Sequence, residues 1–131
     1  MHKKESSKQI NGIGVDIKDI SRFEAALNNN KDLFNHIFTK KELDYCFSKK
    51  NPAQHLAARF SAKEAIIKAL SNAVTSNIQP REIEILNNEE GVPSVLLHQK
   101  NEAMEQVEVN LSMSHCEDRS IAFAIVTKKV Q

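Results

Sequence analysis

Only two cysteines occur in the 131 residues, Cys46 and Cys116, far apart and with no C-x-x-C pair. That pattern excludes a disulfide framework and a cysteine-built zinc site, and the two read as reduced residues of a cytoplasmic protein. No apolar run approaches the ~20 residues that a membrane span needs. The first nine residues have no apolar h-region, so they read as a flexible tail over 1–9 and not as a signal peptide. Neither sign of charge is in excess: 18 Lys and Arg against 17 Asp and Glu give a formal net charge of +1. There is thus no global argument for nucleic-acid binding, and any basic patch must be local. A P-loop and a G-x-S-x-G elbow are both missing, and Gly12-Ile13-Gly14 is too short for a dinucleotide fingerprint. Without internal repeats or linkers, residues 10–131 read as one domain, large enough to bury a core unaided.

What is present divides into helices and strands that keep to separate parts of the chain. Ile13, Val15 and Ile17 alternate with Gly12 and Gly14 between them, which predicts a strand over 10–17 whose backbone something approaches closely. Asp19 or Ser21 starts a helix, and Ser21-x-x-Glu24 fits a capping box; Phe23, Ala26 and Leu27 carry it to the asparagines at 28–30. A short helical turn is expected over 32–37. Thr39-x-x-Glu42 is a second capping box, with Phe38 as its staple, opening a helix over 40–48. Asn51-Pro52 opens the longest helix, over 52–70, with Leu56, Phe60, Ile67 and Leu70 at helical spacing. After Pro80 the period changes to two: strands over 82–86 and 92–97 close a hairpin at 87–91, and two more strands, over 107–113 and 120–127, flank a turn at Glu117-Asp118-Arg119. The expected class is α+β, an antiparallel sheet packed on a long helix.

Three places could carry chemistry. Asp16 stands at the end of an apolar strand beside glycines, where an aspartate serves either as a metal ligand or as a cap for the next helix. Glu64 and Lys68 are four apart and share a helix face; spacing alone favours a surface ion pair worth a few tenths of a kcal/mol. In the functional reading a carboxylate holds Mg²⁺ while a lysine one turn on holds a phosphate, which suits the pair Asp16 and Glu64. Arg59 and Lys63 form a basic pair on a neighbouring face, and by spacing alone they are two solvated charges. Ser114-His115, at the end of an apolar strand, could contact an anion or shuttle a proton.

Taken together and in order, Gly12-Ile13-Gly14-Val15-Asp16-Ile17, then Arg59-Phe60-Ser61-Ala62-Lys63-Glu64-Ala65 with Lys68-Ala69, then Ser112-Met113-Ser114-His115 resemble the holo-acyl-carrier-protein synthase family. The resemblance extends over about residues 10–127 and includes the helix start at 39–43 and Gly91-Val92-Pro93. It implies the 4′-phosphopantetheinyl transferase fold and transfer of the phosphopantetheine arm of coenzyme A onto a serine of acyl carrier protein. It also implies a homotrimer with sites at subunit interfaces, and no nucleic-acid or membrane partner. By position, Asp16 and Glu64 would bind Mg²⁺. Glu64 and Lys68 would be catalytic. Arg59, Lys63, Lys68 and His115 would serve the coenzyme A site. Arg22, with Lys18 nearby, would offer a basic patch to the acidic carrier.

The chain departs from the family at Ser71-Asn72-Ala73, where Gly-Thr-Gly is usual. The expected substitute is Asn72 in the left-handed region, with the Ser71 hydroxyl as a replacement donor. The alternatives to an active transferase are a catalytically weak homologue that only binds coenzyme A or a carrier protein, and a small α+β interaction module.

Overall fold

A computed structural model describes residues 8–74 and 77–129. The alternating run near the start forms strand β1 (Lys8–Asp19), two residues longer at each end than its pattern suggests. Of the expected tail, residues 1–7 lie outside the described residues, and Lys8 and Gln9 belong to β1. Helix α1 (Ile20–Asn29) follows without a break, then a 3₁₀ helix (Lys31–His36), α2 (Lys40–Phe47) and α3 (Pro52–Leu70). A 3₁₀ turn (Pro80–Glu82) leads into β2 (Ile83–Asn87) and β3 (Pro93–Leu97). The short helix α4 (Glu102–Glu105) precedes β4 (Val107–His115) and β5 (Arg119–Lys129). The class is α+β: β1, β5 and β4 form an antiparallel sheet in that order, and β2 pairs with β3 as a separate hairpin.

One of the two capping boxes forms. Thr39 Oγ1 accepts from Glu42 N at 3.3 Å, and Glu42 Oε1 accepts from Thr39 N at 2.9 Å. The Ser21–Glu24 box does not form, because β1 runs on to Asp19 and Asp19 becomes the N-cap. Its carboxylate makes no cap bond and instead accepts from Arg119 Nε at 2.9 Å, across the β1–β5 pair.

Helix α3 is buried nearly all round, as a central helix must be, and much of its surface is alanine: Ala53, Ala57, Ala58, Ala62, Ala65 and Ala69 are all buried. Small side chains let β1 lie directly on its backbone. A methyl group at Gly12 would stand 1.8 Å from the Ala69 carbonyl oxygen, and one at Gly14 1.9 Å from that of Ala65. These glycines are therefore required for close approach, not for conformational freedom. Gly14→Ala is expected to lose at least about 2 kcal/mol, since the obstruction is backbone that cannot rotate away. Urea unfolding at fixed protein concentration reads this directly, and unchanged stability would contradict the packing. Among the described residues no helix is long and apolar enough to cross a membrane.

Candidate active site

The glycine contacts set a common step between strand and helix. Two residues of strand advance about 6.7 Å and four residues of helix about 6 Å, so the two elements stay nearly in phase. Gly12 meets Ala69 and Gly14 meets Ala65. One step further, Asp16 arrives beside the face that carries Glu64 and Lys68, and a step beyond that Lys18 arrives at Phe60. Lys68 Nζ donates to the Val15 carbonyl at 3.0 Å and to Asp16 Oδ1 at 3.2 Å. Lys18 Nζ stands 3.0 Å from Asp16 Oδ2 and 3.6 Å from Glu64 Oε1. Two carboxylates and two ammonium groups thus converge from one strand and one helix.

The carboxylates differ in access. The Asp16 side chain is 10% exposed and that of Glu64 34%. Asp16 Oδ2 is buried and makes no hydrogen bond; Lys18 balances its charge but lies off the bonding direction. A buried carboxylate oxygen without a directional partner is one whose lone pairs suit a cation. Among the described residues no three His, Cys, Asp or Glu gather into a metal-holding group. Two carboxylates suit Mg²⁺, which keeps several waters and shares substrate phosphate oxygens, and do not suit a tightly caged structural ion.

Arg59 and Lys63 are not solvated charges. Lys63 is fully buried and spends all three of its donors inside: on Glu42 Oε1 at 2.8 Å, on the Pro80 carbonyl at 2.9 Å and on the Ile83 carbonyl. Burial lowers its pKa from the usual lysine value, more than the neighbouring Glu42 raises it. Glu42 Oε2 also accepts from Ile85 N at 2.8 Å, so one ion pair ties α2, α3 and β2 together. The chain of contacts continues: Thr39 Oγ1 donates to Glu84, and His98 Nε2 lies 3.0 Å from Glu84 Oε1. Burial would raise the Glu84 pKa, but the bonds from Thr39 and His98 outweigh it and hold it below the usual carboxylate range. Arg59, also buried, lays its guanidinium 4.1 Å from the Tyr45 ring centroid and donates to the Asn87 side chain.

His115 is apart from the carboxylates. It pairs across β5 with Ser120, which pairs with Lys18, so two strand spacings separate it from Lys18, about 10 Å. Its ring rests against the Gln54 amide at the start of α3. Nearby His55 has its pKa lowered, first by burial and then by the charges of Arg59, Lys49 and His115.

Comparison with known proteins gives this arrangement a context. A model of the 4′-phosphopantetheinyl transferase superfamily matches residues 12–125, from the first glycine to the last strand. The chain belongs to that superfamily. A holo-[acyl-carrier-protein] synthase from Geotalea daltonii is 40% identical over 124 residues, 91% of this chain and 99% of that protein. Among solved structures, a Bacillus anthracis holo-(acyl-carrier-protein) synthase in complex with coenzyme A (3′,5′-ADP) has a TM-score of 0.76 at 27% identity, covering 91% of this chain and 97% of its own. A Plasmodium yoelii acyl carrier protein synthase with ADP bound has a TM-score of 0.77 at 28% identity, covering 93% and 98%.

Two features of this transferase differ from the reading of its sequence. Asn72 does not take the left-handed conformation: among the described residues only Gly91 has a positive φ. The Ser71 hydroxyl is likewise committed, donating to the Lys68 carbonyl at 2.7 Å. The second difference is Lys18. Its alternation with Asp16 along β1 was the available signal that both share a face; its ammonium reaches the carboxylates, while Lys18 also lines one cavity with Arg22, as the expected basic patch requires. Arg22 itself is exposed on α1.

Proposed function

We propose that this chain is a Mg²⁺-dependent holo-acyl-carrier-protein synthase of the cytoplasm. It moves the 4′-phosphopantetheine group of coenzyme A to a serine of apo-acyl carrier protein and releases adenosine 3′,5′-bisphosphate. The carrying observation is the buried, hydrogen-bond-free Oδ2 of Asp16, joined to Glu64 through one ammonium at the point where β1 crosses α3. In the reaction the serine oxygen bonds to the phosphorus that bears the pantetheine arm. The P–O–P bridge breaks, its electron pair leaves with the bisphosphate, and the serine proton passes to a base. Bound Mg²⁺ would supply neutralisation of the diphosphate charge. Lys68, whose side chain is 57% exposed, is free to follow a phosphate oxygen as charge builds. Glu64 is the more open carboxylate, and we assign it the serine proton. Arg59 and Lys63, both buried, would support the site from within by holding α3 in place. Arg22 would meet the acidic carrier from α1. Incubation with coenzyme A, Mg²⁺ and an apo-carrier protein, read by intact mass, tests this: the carrier gains one phosphopantetheine, and an unmodified carrier overturns the reading.

The outer face of the three-stranded sheet supports a homotrimer with shared sites. Ile13, Val15 and Ile17 are 50–56% exposed, and their β5 neighbours Ile121 and Phe123 are about 40% exposed. A contiguous apolar sheet face of this kind is rare on a monomer and fits a cover made by further copies of the chain. His115, remote from the carboxylates of its own chain, would then serve a neighbour's site. Phe123→Asp is expected to give monomers by light scattering and to lose transfer activity with the fold intact by circular dichroism. An assembly of unchanged mass would refute this use of the face.

A further inference from the structure

Lys18 has no role in the reading above, yet it holds the most central position in the cluster. It is the last member of the β1 row that faces α3, following Gly12, Gly14 and Asp16. Its stem passes Phe60, with the ammonium 4.9 Å from the ring centroid, and its side chain is only 16% exposed. The ammonium lies within 3.0 Å of Asp16 Oδ2 and 3.6 Å of Glu64 Oε1, the two oxygens best placed to hold a cation.

We propose that Lys18 is a tethered competitor for the metal: in the metal-free protein its ammonium fills the cation position between the two carboxylates, and it must swing out before a divalent ion can enter. This rests on the reading that Asp16 and Glu64 hold that ion. An ammonium has donors and no lone pair, so it cannot be a ligand and can only exclude one. Mg²⁺ binds oxygen ligands at about 2.0–2.1 Å, and a positive charge 3.0 Å from the same oxygen opposes it. Departure is cheap to arrange. Lys18 makes a charge contact to Asp16 Oδ2 without a hydrogen bond, whereas Lys68 is bonded to Asp16 Oδ1 and to the Val15 carbonyl. Of the two lysines, Lys18 is the one without a hydrogen bond to the carboxylate, on a flexible four-carbon stem that can pivot past the Phe60 ring. The same ammonium offsets repulsion between the two carboxylates when no ion is bound.

The test is Mn²⁺ binding, followed through the paramagnetic signal of the free ion, on intact protein without coenzyme A. Wild type is compared with Lys18→Met, Lys18→Arg and Asp16→Asn. Lys18→Met should bind at least about tenfold more tightly than wild type, because one opposing charge is gone. Lys18→Arg, which keeps the charge, should bind like wild type, and Asp16→Asn should bind neither tightly nor stoichiometrically. If Lys18→Met matches wild type while Asp16→Asn still abolishes binding, the carboxylate site stands and the competitor is overturned. If no variant binds Mn²⁺ there, the carboxylate reading falls and takes this proposal with it. Should Lys18→Met be unstable without metal, its melting temperature with and without Mg²⁺ decides the matter. A larger Mg²⁺-induced rise than in wild type supports the competitor, and an equal or smaller rise overturns it.

Discussion

Lys63→Met is expected to lower folding stability by about 3–5 kcal/mol, the usual cost of stranding one charge of a buried ion pair. The mechanism is specific. Removing the ammonium leaves Glu42 fully buried and uncompensated and leaves the Pro80 and Ile83 carbonyls without their donor. Adding Glu42→Gln should recover part of the loss, roughly 1–3 kcal/mol, because a neutral amide oxygen still accepts from Ile85 N but no longer carries a charge. Urea unfolding of the two variants at one protein concentration gives both numbers. The same experiment separates two roles. A lysine that served coenzyme A would raise KM on removal and leave stability alone, and that result would return Lys63 to the substrate site.

The second large effect is catalytic. Asp16→Asn and Glu64→Gln should each reduce transfer by at least about 100-fold, the order seen when one fixed electrostatic group is lost from a site of developing charge. Both replacements keep shape and remove charge, and neither residue lies in the packed core. Circular dichroism and melting should therefore stay close to wild type while the intact-mass assay shows almost no modified carrier. Comparable turnover in either variant at ordinary Mg²⁺ would remove that residue from the metal site. Lost activity with a collapsed fold would instead mean that the carboxylates serve structure.

How much of this was legible depends on how far the deciding contact lies along the chain. The Thr39–Glu42 box and the hairpin after Pro80 need partners close by and form, and the helix starts at Pro52 as its fixed backbone angle favours, although the Asn51 side chain makes no cap bond. The Ser21–Glu24 box had the same local signal but failed because pairing with β5, up to Arg119 opposite Asp19, carries β1 on to Asp19 and starts the helix at Ile20. Arg59 and Lys63 were misjudged as solvated for the same reason. Their partners include Asn87, 28 residues on, and Pro80, 17 residues on, and helical spacing cannot see either. The carboxylate cluster is an intermediate case. Lys68 and Asp16 are 52 residues apart, and nothing in composition joins them. Two alternate glycine positions, Gly12 and Gly14, announced that a backbone comes close, and only the family resemblance said whose.

The pairing of β1 with β5 bears on how the protein is made. The strand that carries Asp16 emerges from the ribosome well before its partner, including Ala122 opposite Asp16, about 100 residues further along the chain. At typical elongation rates of 5–20 residues per second, that edge waits roughly 5–20 s for its mate. During that interval β1 offers free backbone groups and a row of Ile and Val side chains, the kind of surface that pairs with the wrong strand. Nascent chains should therefore be vulnerable to misassociation and inert towards substrate until β5 has emerged and docked.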